Sequence, residues 1–179
     1  FYGLILDTKE PMILSTTDET AVFPKRETDP FQKMAIYDVC SGMGGFTMGS
    51  APLGIDTIAF LETSAFACDV LRENFQIPVI HGDVADTRCV RALHAMKPQG
   101  FVQVTGGFPC QPFSRQGDMK GEQDVRGTVL ASILRCSWLL QADALLLECV
   151  DNVTHFSEIM KTLEVFAERS EEHTSELQS

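Results

Sequence analysis

The densest chemistry in this 179-residue chain is a cysteine between two prolines, in Gly106-Gly107-Phe108-Pro109-Cys110-Gln111-Pro112-Phe113-Ser114. A thiolate is a strong nucleophile and a good leaving group, so a cysteine here could add to an electrophilic carbon and later depart. The prolines stiffen the loop by fixing φ, and the glycines let another molecule approach the backbone closely. The nonapeptide alone fits equally well a small apolar cysteine packed in a Pro-rich turn. Its surroundings decide between the two.

Four further groups recur at similar places. Asp38-x-x-x-Gly42-x-Gly44-Gly45-Phe46 is a glycine-rich turn of the kind that lets a ligand reach the backbone at a helix start. It departs from the dinucleotide pattern G-x-G-x-x-G, because its third glycine comes one position after the second. Glu62 suits the paired hydroxyls of a ribose, Asp83 could accept from an adenine amino group, and Glu148 closes a strongly apolar run. Glu62 or Asp83 alone reads more readily as a solvated strand end or a helix N-cap.

The elements that must carry these groups alternate. Strands are expected at Ala35–Cys40, Thr57–Glu62, Pro78–Asp83, Phe101–Thr105 and Ala144–Cys149. Helices are expected at Phe46–Leu53 (ended by Gly54), Ser64–Asn74, Asp86–Met96 (stopped by Pro98), Val125–Leu140 and Asn152–Ala167. Near-continuous apolar strands between helices predict an α/β fold, a doubly wound and mostly parallel sheet covered on both faces. All strand-to-helix loops then open on one edge, bringing Cys40–Gly45, Glu62, Asp83, Cys110 and Glu148 to a single rim. Residues 1–34 read as an irregular leader with a short strand at Gly3–Leu6, and residues 35–168 as the domain.

Bulk properties narrow the class. A 44% hydrophobic chain of this length suits one globular core. It contains no run of eighteen apolar residues and no basic-then-apolar start, which predicts neither a membrane span nor a secretory signal. Six widely spaced cysteines without a C-x-x-C pair read as reduced thiols, hence an intracellular protein, nuclear in a eukaryotic source. No ligand spacing supports a metal site, and the four histidines (His81, His94, His155, His173) share no coherent spacing. A net charge of −11 argues against strong nonspecific nucleic-acid binding by this chain alone.

In order and in spacing, Asp38–Phe46, Glu62, Asp83, Pro109-Cys110-Gln111-Pro112-Phe113-Ser114 and Leu147-Glu148-Cys149-Val150 resemble the cytosine-5 DNA methyltransferases, over roughly Met34 to Phe156. The resemblance implies a Rossmann-like fold, S-adenosyl-L-methionine as methyl donor, and transfer to C5 of cytosine in DNA through a covalent Cys–C6 adduct. By position, Phe46 and the loop Cys40, Ser41, Gly42, Met43, Gly44 and Gly45 would cradle the donor's amino-acid part, with Asp38 and Pro109 also at the cofactor. Glu62 would bind the ribose hydroxyls and Asp83 the adenine. Cys110 would be the nucleophile. Glu148, kept protonated by desolvation among Leu145–Leu147, would hold and protonate the ring. The target base must leave the stack, and Gln111, Ser114, Arg115 and Arg126 would contact the displaced nucleotide or the DNA.

The chain also departs from the family. Cys149 stands where the family usually has Asn after the glutamate, which puts support of the cysteine loop in question. Nothing in the chain resembles the later catalytic motifs, the target-recognition region or the closing segment of the cofactor pocket. Residues 169–179 resemble a translated sequencing adapter, so the expectation is a fragment cut near Glu168, inactive alone and lacking most DNA contacts. Transfer RNA is an alternative substrate, because one branch of the family acts on it. A degenerate, non-catalytic cofactor-binding domain is the alternative outside enzymes.

Overall fold

The computed structural model describes residues 5–6, 34–96, 98, 100–107, 128–149, 161 and 163–164. Among them one six-stranded sheet organises the chain: β1 (Ile5–Leu6), β2 (Ala35–Val39), β3 (Asp56–Glu62), β4 (Val79–His81), β5 (Val102–Gly107) and β6 (Ala144–Glu148), in the spatial order β1-β6-β5-β2-β3-β4. The five strands from β2 to β6 are mutually parallel, and β1 adds a short antiparallel pairing along β6. The expected doubly wound α/β sheet is what forms, and the expected strand at Gly3–Leu6 is its antiparallel edge.

Burial explains why the strands are parallel and central. All five residues of β2 are buried, as are five of the six in β5, so both faces of these strands must be covered. The connecting helices supply the cover: α1 (Gly45–Ser50), α2 (Ala65–Asn74), α3 (Thr87–His94) and α4 (Thr128–Leu139). From β2 the chain winds outward through β3 and β4, then crosses back to β5 and β6. Right-handed crossovers therefore put α1 and α2 on one face and α3 and α4 on the other, and α3 does pack on α4. The main core lies on the α3/α4 side, where Tyr37, Val39, Ala59 and Leu61 meet Val90, Leu93, Leu130 and Ile133. On the other face Phe60 meets Phe75, with ring centroids 5.2 Å apart.

Local signals place the boundaries. Ser64 caps α2, its hydroxyl accepting from the Ala67 amide at 3.3 Å, and the Asp86 carboxylate caps α3 through the Arg88 amide at 2.8 Å. The helix expected at Phe46–Leu53 divides into α1 and a 3-10 turn over Ala51–Leu53, because Pro52 has no amide to continue the ladder. Gly54, at φ +71°, ends it as expected. β5 runs two residues further than expected, through Gly106 and Gly107. Of the helix expected at Asn152–Ala167, residues 161, 163 and 164 are described and helical. No helix among the described residues is long and apolar enough to cross a membrane.

Candidate active site

The turn in strand order falls between β2 and β5, and in open α/β sheets that crevice is where ligands bind. β2 ends at Val39, in register with Gly106 on one side and Leu61 on the other. From there the backbone turns sharply. Cys40 takes φ +52°, Gly42 φ +53° and Gly44 φ +85°, so two of the three left-handed positions carry the residue that adopts them freely. At Gly44 space matters as well, since a Cβ would stand 2.8 Å from the Phe75 ring. Gly42 and Gly45, by contrast, face open space where their side chains would be.

Hydrogen bonds from below and beside hold this loop. Ser41 Oγ donates to the Asp38 carbonyl at 2.5 Å, and the Gly44 amide closes the turn on the Ser41 carbonyl at 2.9 Å. Glu62, at the end of β3 and only 9% exposed, accepts from the Gly42 amide at 2.8 Å through Oε2. Its Oε1 accepts from the Ser64 amide at 2.8 Å and the Thr63 hydroxyl at 3.3 Å. One carboxylate thus joins the loops after β2 and β3. Oε2, with one donor, retains capacity for another, whereas Oε1 already accepts two.

Asp38 lies beneath the loop with no exposure. Its Oδ2 accepts from Thr47 Oγ1 at 3.2 Å, while Oδ1 has no hydrogen-bond partner among the described residues. The nearby Thr105 hydroxyl donates instead a long bond, 3.5 Å, to the Tyr37 carbonyl. Burial pushes the Asp38 carboxyl up to about 7, against the opposing hydrogen bond from Thr47. Cys40 is pushed up to about 12, first by burial and then by the negative charges of Glu62, Asp83 and Asp38. Its thiol stays protonated at neutral pH and is no nucleophile. Asp83 is exposed beyond β4, with Oδ1 accepting from the Ala85 amide at 2.8 Å. Met43 is exposed and Phe46 half-buried at the start of α1.

On the other side of the crevice, Glu148 ends β6 in register with Gly107. Strand alternation corrects the expectation that Leu145–Leu147 surround it: Leu145 and Leu147 are buried in the α3/α4 core, whereas half-buried Glu148 shares the opposite face with Leu146. The glycines before the cysteine also differ from expectation in what approaches them. Ile133 and Val39 pack on Gly106, and the Glu148 carboxylate lies over Gly107. The rim therefore brings together Cys40, Ser41, Gly42, Met43, Gly44, Gly45, Phe46, Glu62, Asp83 and Glu148, with Asp38 below. Pro109, Cys110, Gln111, Ser114, Arg115 and Arg126 lie outside the described residues.

Over residues 34–173 the sequence matches the family model of the C-5 cytosine-specific DNA methylases. The chain belongs to that family. It is 32% identical over 120 residues to the type II methyltransferase M.NaeI of Lentzea aerocolonigenes, covering 66% of this chain and 28% of that protein. It is 33% identical over 122 residues to M.AluI of Cellulosimicrobium cellulans, covering 68% and 23%. The chain thus spans about a quarter of the length of these relatives. Among solved structures, a DNA modification methyltransferase encoded within an E. coli prophage shares the fold with a TM-score of 0.61 at 23% identity, over 76% of this chain and 38% of that one. The methylase match extends into the segment that resembles an adapter, residues 169–179, which lies outside the described residues.

Sequence reasoning missed Thr47, the hydroxyl that meets the buried Asp38 carboxylate and, at 2.9 Å, Thr57 Oγ1. A polar residue one turn into a helix that must pack on the sheet was the available signal. It also missed Phe75, whose ring fills the space beside Gly44 and so shapes the loop from the far end of α2.

Proposed function

We propose that this chain carries the donor pocket and the nucleophile of a DNA cytosine-5 methyltransferase that uses S-adenosyl-L-methionine, within a protein longer than the chain itself. The observation that carries the reading is the convergence, at one switch-point crevice, of the open glycine loop tied to Glu62 and of Glu148 leaning over β5, the strand that leads into Pro109-Cys110-Gln111.

The residues fit such a donor. Open space at Gly42 and Gly45 leaves the backbone approachable. Glu62 Oε2 keeps a lone pair for a ribose hydroxyl, and the exposed Asp83 carboxylate can accept from an adenine amino group. Phe46 and the loop from Cys40 to Gly45 would hold the amino-acid part. When bound, the donor supplies an electrophilic methyl group.

The chain's own residues do the rest. Cys110, as thiolate, adds to C6 of a flipped cytosine while Glu148 gives a proton to N3, and the electron pair released into the ring makes C5 nucleophilic. C5 would then bond to the donor's methyl carbon as that carbon's bond to the sulfonium sulfur breaks, the electron pair staying on sulfur. A base removes the C5 proton, the Cys110–C6 bond breaks to return the thiolate, and N3 gives its proton back to Glu148. Gln111, Ser114, Arg115 and Arg126 would steady the displaced nucleotide or the DNA. With a net charge of −11 in this chain, most phosphate contacts belong to the remainder of the protein.

The test is covalent trapping. The natural protein containing this chain, incubated with duplex DNA carrying 5-fluorocytosine and with the methyl donor, should form an adduct visible by intact mass. Fluorine at C5 blocks the last elimination, and Cys110→Ser should abolish the adduct. Failure to trap by a folded protein that binds the donor would support a degenerate cofactor-binding domain. Trapping on transfer RNA but not on DNA would change the substrate and keep the chemistry.

A further inference from the structure

We propose that Gly107 is a positioning residue for the Glu148 carboxylate, an inference that rests on the reading of Glu148 as the acid that meets the cytosine ring. Gly107 ends β5 and stands in register with Glu148 at the end of β6. Residues in register on neighbouring strands share a face about 4.8 Å apart, so a side chain at 107 would compete with Glu148 for the same space. Without one, the carboxylate lies over β5, its Oε2 only 3.2 Å from the point a Cβ would occupy. The lean carries the acid off β6 toward β5 and the crevice beside β2.

Backbone conformation is not what asks for glycine at this position. Positive φ occurs at Gly42, Gly44, Gly54 and Gly100, whereas Gly107 is ordinary strand. Glycine weakens a strand, so alanine should suit the backbone better. Gly106 is different: a Cβ there would stand 3.1 Å from Ile133 Cδ1 and 3.4 Å from Val39 Cγ2, inside the core. Of the pair, Gly106 serves packing and Gly107 serves the acid.

The experiment is a double-mutant cycle in the natural protein containing this chain, read as steady-state methyl transfer to duplex DNA. Gly107→Ala should hold the thermal midpoint at or above wild type, leave KM for the methyl donor within about twofold, and lower kcat about fivefold, since displacing a catalytic group by a few tenths of an ångström is felt in rate. Gly107→Val, whose bulk forces a larger displacement, should cost about a hundredfold. In a Glu148→Asp background the acid is one methylene shorter, and adding Gly107→Ala should cost less than twofold more. Wild-type kcat in Gly107→Ala, or the same fivefold loss in both backgrounds, would overturn the proposal. Full activity in Glu148→Gln, or no transfer by the wild-type protein, would instead overturn the reading of the site, and this inference with it.

Discussion

At the scale of single residues, the site mixes groups that touch a ligand with groups that support them. Asp38 belongs to the second kind: fully buried, with one carboxylate oxygen unpartnered among the described residues, it sits under the glycine loop. Its folded-state pKa of about 7 lies above the ordinary 3.8. A raised acid contributes stability that is present in full below about pH 4 and is lost as pH rises to 7, at about 1.4 kcal/mol per pH unit in between. Asp38→Asn cannot ionise, so urea midpoints of the variant should fall less from pH 4 to pH 7 than those of the parent chain. Equal slopes would assign the ionisation to another group. Glu62 and Asp83 were legible in the sequence as acids at strand ends, and Asp38 as the start of the glycine-rich motif. That Glu62 already holds two amides was not, because a hydrogen bond across 20 residues depends on how β2 and β3 align.

Elements position these groups through a few contacts that a period-based reading does not reach. Gly44 combines φ +85° with a Phe75 ring 2.8 Å from where its Cβ would be. Gly44→Ala should therefore destabilise the fold by about 2–4 kcal/mol, from left-handed strain plus overpacking. Gly45→Ala, one position on and facing open space, should shift stability by less than about 1 kcal/mol in either direction. Thermal unfolding of the two variants checks the contrast, and equal losses would show that glycine content alone matters. Apolar runs between helical patterns made five strands and the parallel sheet readable. The end of β5 was not readable, because Gly106-Gly107 has the composition of a turn. The strand continues through it because Gly106 pairs with Val39 and Leu147 and Gly107 with Glu148, while Ile133 and Glu148 occupy the space larger side chains would need.

For the molecule as a whole, charge and topology divide the labour. With 25 acidic against 14 basic residues, the chain should bind a duplex oligonucleotide no more tightly than about 10⁻⁴ M at physiological salt, measured by fluorescence anisotropy. Tight, salt-sensitive binding would reveal a basic surface within the chain and refute that division.

The edge strand β1 has a consequence for the order in which the fold can be made. Ile5 pairs with Leu146, so among the described residues the first strand closes against the last. During synthesis its partner emerges about 140 residues later, which at typical elongation rates is on the order of ten seconds. In that interval β2, β3 and β4 can form their own ladder around the glycine loop, whereas Ile5–Leu6 has no ladder partner until β6 is made. Through that delay the exposed edge is that of β2, an opening for association with a neighbour on the same polysome until β5 arrives to close it.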